Sequence, residues 1–176
     1  MKKRFVTGLA LICLLAANVF MAREALAHQW GRWHWNKSGS SVPLSMYNSA
    51  TYRTEAANAI SDWNVNTILT ISNVNYHTEV SVFDGNYGNT GWGGLASLES
   101  VSGNHILHAH SRLNTYYSYS SADKRGVQCQ EVGHTFGLDH SNDGCMGKGY
   151  YNNLNTTVQH NWNDVYNMYR YAHTSH

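Results

Sequence analysis

Apolar residues recur with helical spacing in two parts of the chain. The first stripe steps at i, i+3, i+4 and i+7, as the buried face of an amphipathic helix does, and we expect Asn48 or Ser49 to cap that helix. The second stripe lies near the end of the chain and predicts a last helix. The two stripes are Ala56, Ala59, Ile60 and Trp63, and Val158, Trp162, Val165, Tyr166 and Tyr169.

Other segments have the patterns of strands. Residues 67–71 are short and rich in β-branched residues, and residues 76–83 alternate between two faces. Residues 42–47 include Pro43, the chain's only proline. Because proline is tolerated at the edge of a sheet, we expect an extended edge strand there. Weaker strand patterns cover residues 95–101 and 105–113.

A helix with clear ends is predicted between the last strand and the last helix. Ser120 or Ser121 can cap its start, and Gly137 stops it after Phe136. A glycine-rich loop over residues 84–94 separates two of the strands. The order of strand, helix, several strands, helix, loop and helix predicts an α+β fold, in which helices cover one side of a twisted mixed sheet.

The first 27 residues have the three parts of a secretory signal peptide. A basic cluster at residues 2–4 precedes an apolar run at residues 9–17, and residues 25–27 offer a small-x-small cleavage pattern. The apolar run is far shorter than the ~20 residues that cross a bilayer. We therefore expect an exported protein whose mature part, residues 28–176, is a single domain.

The charge balance narrows the classes of partner. The whole chain has 12 Lys and Arg and 11 Asp and Glu. Four basic residues and one acidic residue leave with the signal peptide, so the mature chain is slightly acidic. No long basic run remains, which argues against nucleic acid and an anionic membrane surface as partners. We expect the mature protein to be a monomer.

The helix that ends at Gly137 carries candidate metal ligands. Gln130 and His134 are four residues apart, so their side chains lie one turn apart on the same face. Gly137 allows a sharp turn, after which His140 can return as a third ligand. Three protein ligands and an open fourth position are the catalytic arrangement for zinc. Glu131 is placed to reach a zinc-bound water and act as general base.

This segment resembles the metzincin signature, His-Glu-x-x-His-x-x-Gly-x-x-His followed by a methionine turn. Glu131, His134, Gly137 and His140 match it, and Met146 follows where a short gap would place the methionine. That short gap is most similar to the matrixin branch. The resemblance implies a metzincin-like fold, one catalytic Zn²⁺ and a secreted endopeptidase that hydrolyses a protein or peptide substrate.

Gln130 departs from the signature, which has histidine at this position. An amide oxygen is a neutral and weaker zinc donor than an imidazole. Gln130 can ligate directly and give a weaker site, or a water or a distant histidine can replace it, or zinc binding is lost. In the last case the protein is a catalytically impaired pseudoprotease, a secreted module that binds protein or glycan.

Two cysteines remain once Cys13 has left with the signal peptide. Two cysteines in an exported chain usually pair, and a bridge between Cys129 and Cys145 would tie the helix to the methionine turn. The competing role is a thiolate ligand for zinc. Cys129 lies about 100° round the helix from Gln130, which argues against that role for Cys129.

Four further histidines lie in or near the predicted strands: His77, His105, His108 and His110. On a strand, His108 and His110 share one face and His105 takes the other. One interpretation is a second, structural metal site. The preferred interpretation is solvent-exposed strand histidines, because the aspartate-rich pattern that accompanies such metal sites is missing. His160 either anchors the last helix or meets solvent.

Overall fold

The structure is a computed structural model that describes residues 28–148 and 155–171. The predicted signal peptide, residues 1–27, lies outside the described residues. Within them, no helix combines the length and the apolar character that a membrane crossing requires.

A five-stranded sheet in the order β2-β1-β3-β5-β4 forms the centre of the fold. β1 pairs in parallel with β2 and with β3, β3 pairs in parallel with β5, and β4 runs antiparallel to β5. The predicted α+β architecture with a mixed sheet is therefore confirmed. The strands are β1 (Val42–Asn48), β2 (Leu69–Val74), β3 (Val80–Gly85), β4 (Gly94–Ser102) and β5 (His105–Asn114).

The expectation of an edge strand around Pro43 is wrong, because β1 lies between β2 and β3. Val42 donates its N–H to Ile68 on the β2 side, so the nitrogen of Pro43 faces the other side. β3 begins to pair with β1 only at Met46. No strand pairs with β1 on that side at Pro43, so its missing N–H costs no hydrogen bond of the sheet. Proline is therefore tolerated inside the sheet.

Helix α1 (Arg53–Asn66) buries the four residues of the predicted stripe, Ala56, Ala59, Ile60 and Trp63. Its predicted cap at Asn48 or Ser49 is wrong. Tyr52 is the N-cap residue, and its side chain makes no capping bond. The carboxylate of Asp84 on β3 instead accepts the N–H of Tyr52 at 2.8 Å. A distant strand therefore satisfies one donor at this helix end, where a local cap was expected.

Helix α2 (Ser121–Thr135) begins and ends as the sequence predicts. Ser120 and Asp123 form a reciprocal capping box at its start. Its end is followed by Gly137, which has a φ of 94°. This left-handed conformation is accessible to glycine at little cost.

Helix α3 (Gln159–Tyr171) does not follow its predicted apolar stripe throughout. Val165 and Tyr169 are buried, but Tyr166 is 49% exposed. Two polar residues, Asn161 and Asp164, lie on the buried face instead. Asn161 donates its amide N–H to the Ser141 hydroxyl and the Asp143 carbonyl. A pattern of apolar residues cannot reveal a buried side chain that is satisfied by hydrogen bonds.

The predicted disulfide between Cys129 and Cys145 is present, with the two Cα atoms 5.8 Å apart. It joins α2 to the short 3₁₀ turn Gly144–Met146, so neither sulfur is a thiolate ligand. Trp63 of α1 donates its indole N–H to the Cys129 carbonyl at 3.0 Å. The disulfide and this hydrogen bond hold α1, α2 and the 3₁₀ turn together.

The hydroxyl of Tyr169 joins three parts of the molecule. It donates to the Phe136 carbonyl at the end of α2 at 2.9 Å and accepts the Trp35 N–H at 3.2 Å. Its complete burial raises the pKa of Tyr169 far above its ordinary value, so the hydroxyl stays neutral and keeps its proton for donation.

Tyr169→Phe should therefore lower the free energy of unfolding by about 1–3 kcal/mol. The change removes the hydroxyl that serves the Phe136 carbonyl and the Trp35 N–H, and both are buried. Urea unfolding measures the difference. Tyr166→Phe is the matched control, because the same change on an exposed residue of the same helix should fall within about 0.5 kcal/mol. Equal effects of the two variants would contradict the bridging role of Tyr169.

Candidate active site

His134 lies on the last turn of α2 in a buried position. Its Nδ1 is 2.8 Å from the Leu138 carbonyl. Since a carbonyl only accepts, Nδ1 carries the proton and Nε2 keeps a free lone pair. Burial lowers the pKa of His134 and favours the neutral imidazole, which is the form that binds metal ions.

His140 returns to His134 after the chain turns at Gly137. The two ring centroids are 4.7 Å apart in an edge-to-face arrangement. Asp139 accepts the backbone N–H of His140 at 2.7 Å, and its carboxylate lies 3.6 Å from Nδ1 of the same histidine. The structure thus brings together the two histidines that the motif proposes as ligands.

The N-terminal segment packs along the turn that positions His140. Trp30 donates its N–H to the Gly137 carbonyl at 2.7 Å, and Asp139 donates its N–H to the His28 carbonyl at 2.6 Å. A Cβ atom at Gly137 would overlap the carbonyl of Trp33. Sequence reasoning missed this contact, because nothing in the local pattern of residues 28–33 links them to residues 137–139.

Glu131 is 5% exposed and points toward the start of β4. A Cβ atom at Gly94 would lie 2.5 Å from both Cγ and Oε1 of Glu131. Real Cβ atoms do not approach other heavy atoms that closely, so glycine at position 94 leaves the space that the Glu131 side chain occupies. The sequence marked Gly94 only as part of a glycine-rich loop.

Gln130, the residue at the first ligand position, is 4% exposed. Its Nε2 donates to the Gly147 carbonyl at 2.9 Å, directly after the 3₁₀ turn. The amide nitrogen is a donor only, so the Oε1 end is the part of Gln130 that can bind a cation.

Met146 packs beneath α2 and is 1% exposed. A Cβ atom at Gly133 would overlap the Met146 sulfur and crowd the ring of Trp63. The absence of a side chain at Gly133 therefore lets the methionine approach the backbone of the helix that carries Gln130 and His134.

A side-chain amide organises the glycine-rich loop beside the site. Asn114 on β5 donates to the carbonyls of Gly88 and Trp92 and accepts the N–H of Tyr87. The ring of Trp92 packs on that of Tyr87, with centroids 5.2 Å apart. Sequence reasoning marked residues 84–94 only as a glycine-rich loop and missed Asn114, whose buried side chain fixes the loop from the end of a strand.

Three of the four histidines in or near the predicted strands converge: His108 and His110 lie on β5, and His77 lies in the connection between β2 and β3, because β3 begins at Val80 and not at residue 76 as predicted. Nε2 of His110 lies 3.0 Å from Nε2 of His77 and 2.8 Å from Nε2 of His108. Glu99 approaches Nδ1 of His110 at 3.1 Å. His108 and His110 are half-buried, and burial lowers the pKa of each. The preferred interpretation of separate solvent-exposed histidines therefore does not hold for this group.

His105 packs on His34 with ring centroids 4.7 Å apart. Its predicted place on the opposite face from His108 and His110 rests on strict alternation, which β5 does not keep: Ile106 and Ala109 are both buried in the core, and the register with β4 skips Leu107. It is not part of the convergent group. Among the described residues, sets of three His, Cys, Asp or Glu donors within 4.8 Å of one another occur at His77, His108 and His110 and at His28, His160 and Asp164. Nε2 of His160 lies 3.3 Å from Nδ1 of His28, and the side chain is 43% exposed, so His160 both contacts the N-terminal segment and meets solvent.

Comparison with known proteins adds little to this geometry. No protein-family model matches the chain, and no curated protein matches it. A solved structure of myroilysin aligns with a TM-score of 0.46 and 14% sequence identity. The alignment covers 64% of this chain and 54% of the myroilysin chain, so the chain spans about half the length of that protein. Similarity at this level assigns no activity, and the function must be argued from the site itself.

Proposed function

We propose that this protein is a secreted zinc-dependent endopeptidase. The observation that carries the proposal is the approach of His134 and His140, with ring centroids 4.7 Å apart, on either side of the Gly137 turn. Glu131 is buried on the same helix as His134, three residues before it. These features support the metzincin-like motif, while the matrixin branch and the monomeric state remain sequence-based predictions.

The donors available here fit a zinc ion. Nε2 of His134 has its lone pair free because Nδ1 donates to Leu138, His140 supplies a second imidazole, and Gln130 can supply Oε1. Nitrogen and oxygen donors suit zinc, and three protein ligands leave a position for substrate or water. A zinc ion held by these residues would lower the pKa of a water molecule and polarise the scissile carbonyl.

Glu131 then performs the proton transfers. Its carboxylate accepts a proton from the attacking water and later delivers that proton to the nitrogen of the leaving amine. The peptide C–N bond breaks, and the two products are a carboxylate and an amine. The space left by Gly94 holds the Glu131 side chain against the start of β4, which restricts where the carboxylate can point.

Secretion is supported by two independent features. The Cys129–Cys145 disulfide is typical of proteins that fold in an oxidising compartment. The first 27 residues have the pattern of a signal peptide. The proposed substrate, a protein or peptide, would therefore be met outside the cytoplasm.

Glu131→Gln should reduce peptide cleavage by about 10²–10⁴-fold and leave zinc binding intact, because it removes only the proton acceptor. A quenched fluorescent peptide library measures cleavage, and metal analysis measures zinc. Glu55→Gln, the same change at the first turn of α1, is the matched control and should retain full activity. Cleavage that persists in Glu131→Gln, or that withstands a metal chelator, would refute the proposal.

Gln130→His tests the role of the unusual ligand position. An imidazole is a stronger zinc donor than an amide oxygen, so zinc affinity should rise by about tenfold or more. Mutation of residues that only contact a zinc ligand already changes zinc affinity by about 10–100-fold. Competition with a fluorescent chelator gives the affinity. An unchanged affinity would show that residue 130 is not a ligand.

The two variants also separate the pseudoprotease alternative. A natural protein that binds zinc without cleaving any peptide, combined with a Gln130→His variant that cleaves, would identify Gln130 as an inactivating substitution. The natural protein would then be a binding module. Cleavage by the natural protein excludes that alternative.

We also propose that His77, His108 and His110 hold a structural metal ion. The Nε2 atoms of His77 and His108 lie within 3.0 Å of Nε2 of His110. On the other side of the His110 ring, Nδ1 accepts from Arg112 at 2.7 Å and lies 3.1 Å from Glu99. Binding of a metal ion at Nε2 of His110 would place the ring proton on Nδ1, where Glu99 can accept it in place of the Arg112 contact. The site would fasten the β2–β3 connection to β5.

His77→Ala should remove about one equivalent of bound zinc, measured by metal analysis after dialysis, because two histidines alone bind zinc weakly. His77 is exposed, so the variant should fold. Tyr76→Ala, a change at the exposed neighbouring residue, is the control and should leave the zinc content as in the natural protein. Unchanged zinc content in His77→Ala would refute this site.

A further inference from the structure

We propose that His28, His160 and Asp164 form a separate zinc site that fastens the N-terminal segment to α3. The inference lies beyond the proposed function, because none of the three residues takes part in the proposed peptide hydrolysis. It also differs from the group of His77, His108 and His110 in its residues and in the elements it joins.

The three donor atoms form a nearly equilateral triangle. Nδ1 of His28 is 3.3 Å from Oδ2 of Asp164, Nε2 of His160 is 3.4 Å from the same oxygen, and the two nitrogens are 3.3 Å apart. All three side chains thus aim one potential ligand atom at a common point.

The size of this triangle matches zinc. With bonds of about 2.0–2.1 Å, two ligands of a tetrahedral zinc ion lie about 3.3–3.4 Å apart. A direct charge-assisted hydrogen bond between a protonated histidine and a carboxylate is shorter, at about 2.7–2.9 Å. The observed spacing therefore fits three ligands around one cation better than a direct ion pair. Water can occupy the fourth position.

The burial of Asp164 calls for a positive partner. The residue is only 6% exposed. A buried carboxylate is costly unless a cation compensates it. A divalent ion held by the two imidazoles supplies that charge. The His28 and His160 side chains are 38% and 43% exposed, so an ion can enter from solvent.

The location gives this site a positioning role. The carbonyl of His28 accepts the N–H of Asp139, and Trp30 donates to the Gly137 carbonyl. A cation that fixes His28 on α3 would therefore brace the turn that presents His140. The site would hold the edge of the proposed active site without contacting a substrate.

The test measures zinc stoichiometry and affinity on the purified whole protein by calorimetric titration. His160→Ala should remove one of the bound zinc ions, because the zinc affinity of this site should fall by at least about 100-fold. Mutation of a residue that only contacts a zinc ligand already lowers zinc affinity by about 10–100-fold. His160 is 43% exposed, so the variant should fold. Gln159→Ala, at an exposed neighbour on α3, should bind zinc as the natural protein does.

The same comparison in a His134→Ala background separates this site from the proposed active site. His160→Ala should still remove one zinc there, whether or not the protein cleaves peptides. His28→Gln should give the same loss as His160→Ala. Equal zinc number and affinity in His160→Ala and the natural protein would overturn the proposal and leave a metal-free His–Asp cluster.

Discussion

The end of α2 is the constraint on which the rest of the structure depends. Gly137 turns the chain at a φ of 94°, and the turn directs the carbonyls at the end of the helix toward other elements. A helix end that is buried must find partners for these groups. Three consecutive carbonyls find donors from three parts of the chain: Phe136 from the Tyr169 hydroxyl, Gly137 from the Trp30 N–H and Leu138 from Nδ1 of His134.

These bonds connect the fold to the site. The bond from His134 to Leu138 consumes Nδ1 and so sets which nitrogen of His134 is available to a cation. The bond from Trp30 holds the turn that leads to His140. The chemistry proposed here therefore draws on α3 and the N-terminal segment as well as on the motif, and a weakening of either element would disturb the two histidines.

Local features of the fold were predictable, and features set by distant partners were not. The buried stripe of α1, the Ser120 cap and the Gly137 stop follow from residues a few positions apart. The interior position of β1 depends on where β3 begins to pair, which no pattern within β1 records. The site divides in the same way: the motif indicated His134 and His140, while Gly94 and the N-terminal segment contact it only through the fold.

As a proposed third ligand, Gln130 illustrates how the fold can offset a weak donor. Its amide donates to Gly147, and the neighbouring Cys129 is bonded to Cys145, so two cross-links side by side tie α2 to the Gly144–Met146 turn and the residue after it. A side chain held at one end loses less rotamer freedom when its other end binds a cation. The amide oxygen of Gln130 is a weaker donor than imidazole. Because folding already restricts the side chain, the loss of conformational freedom on binding a cation would cost less free energy.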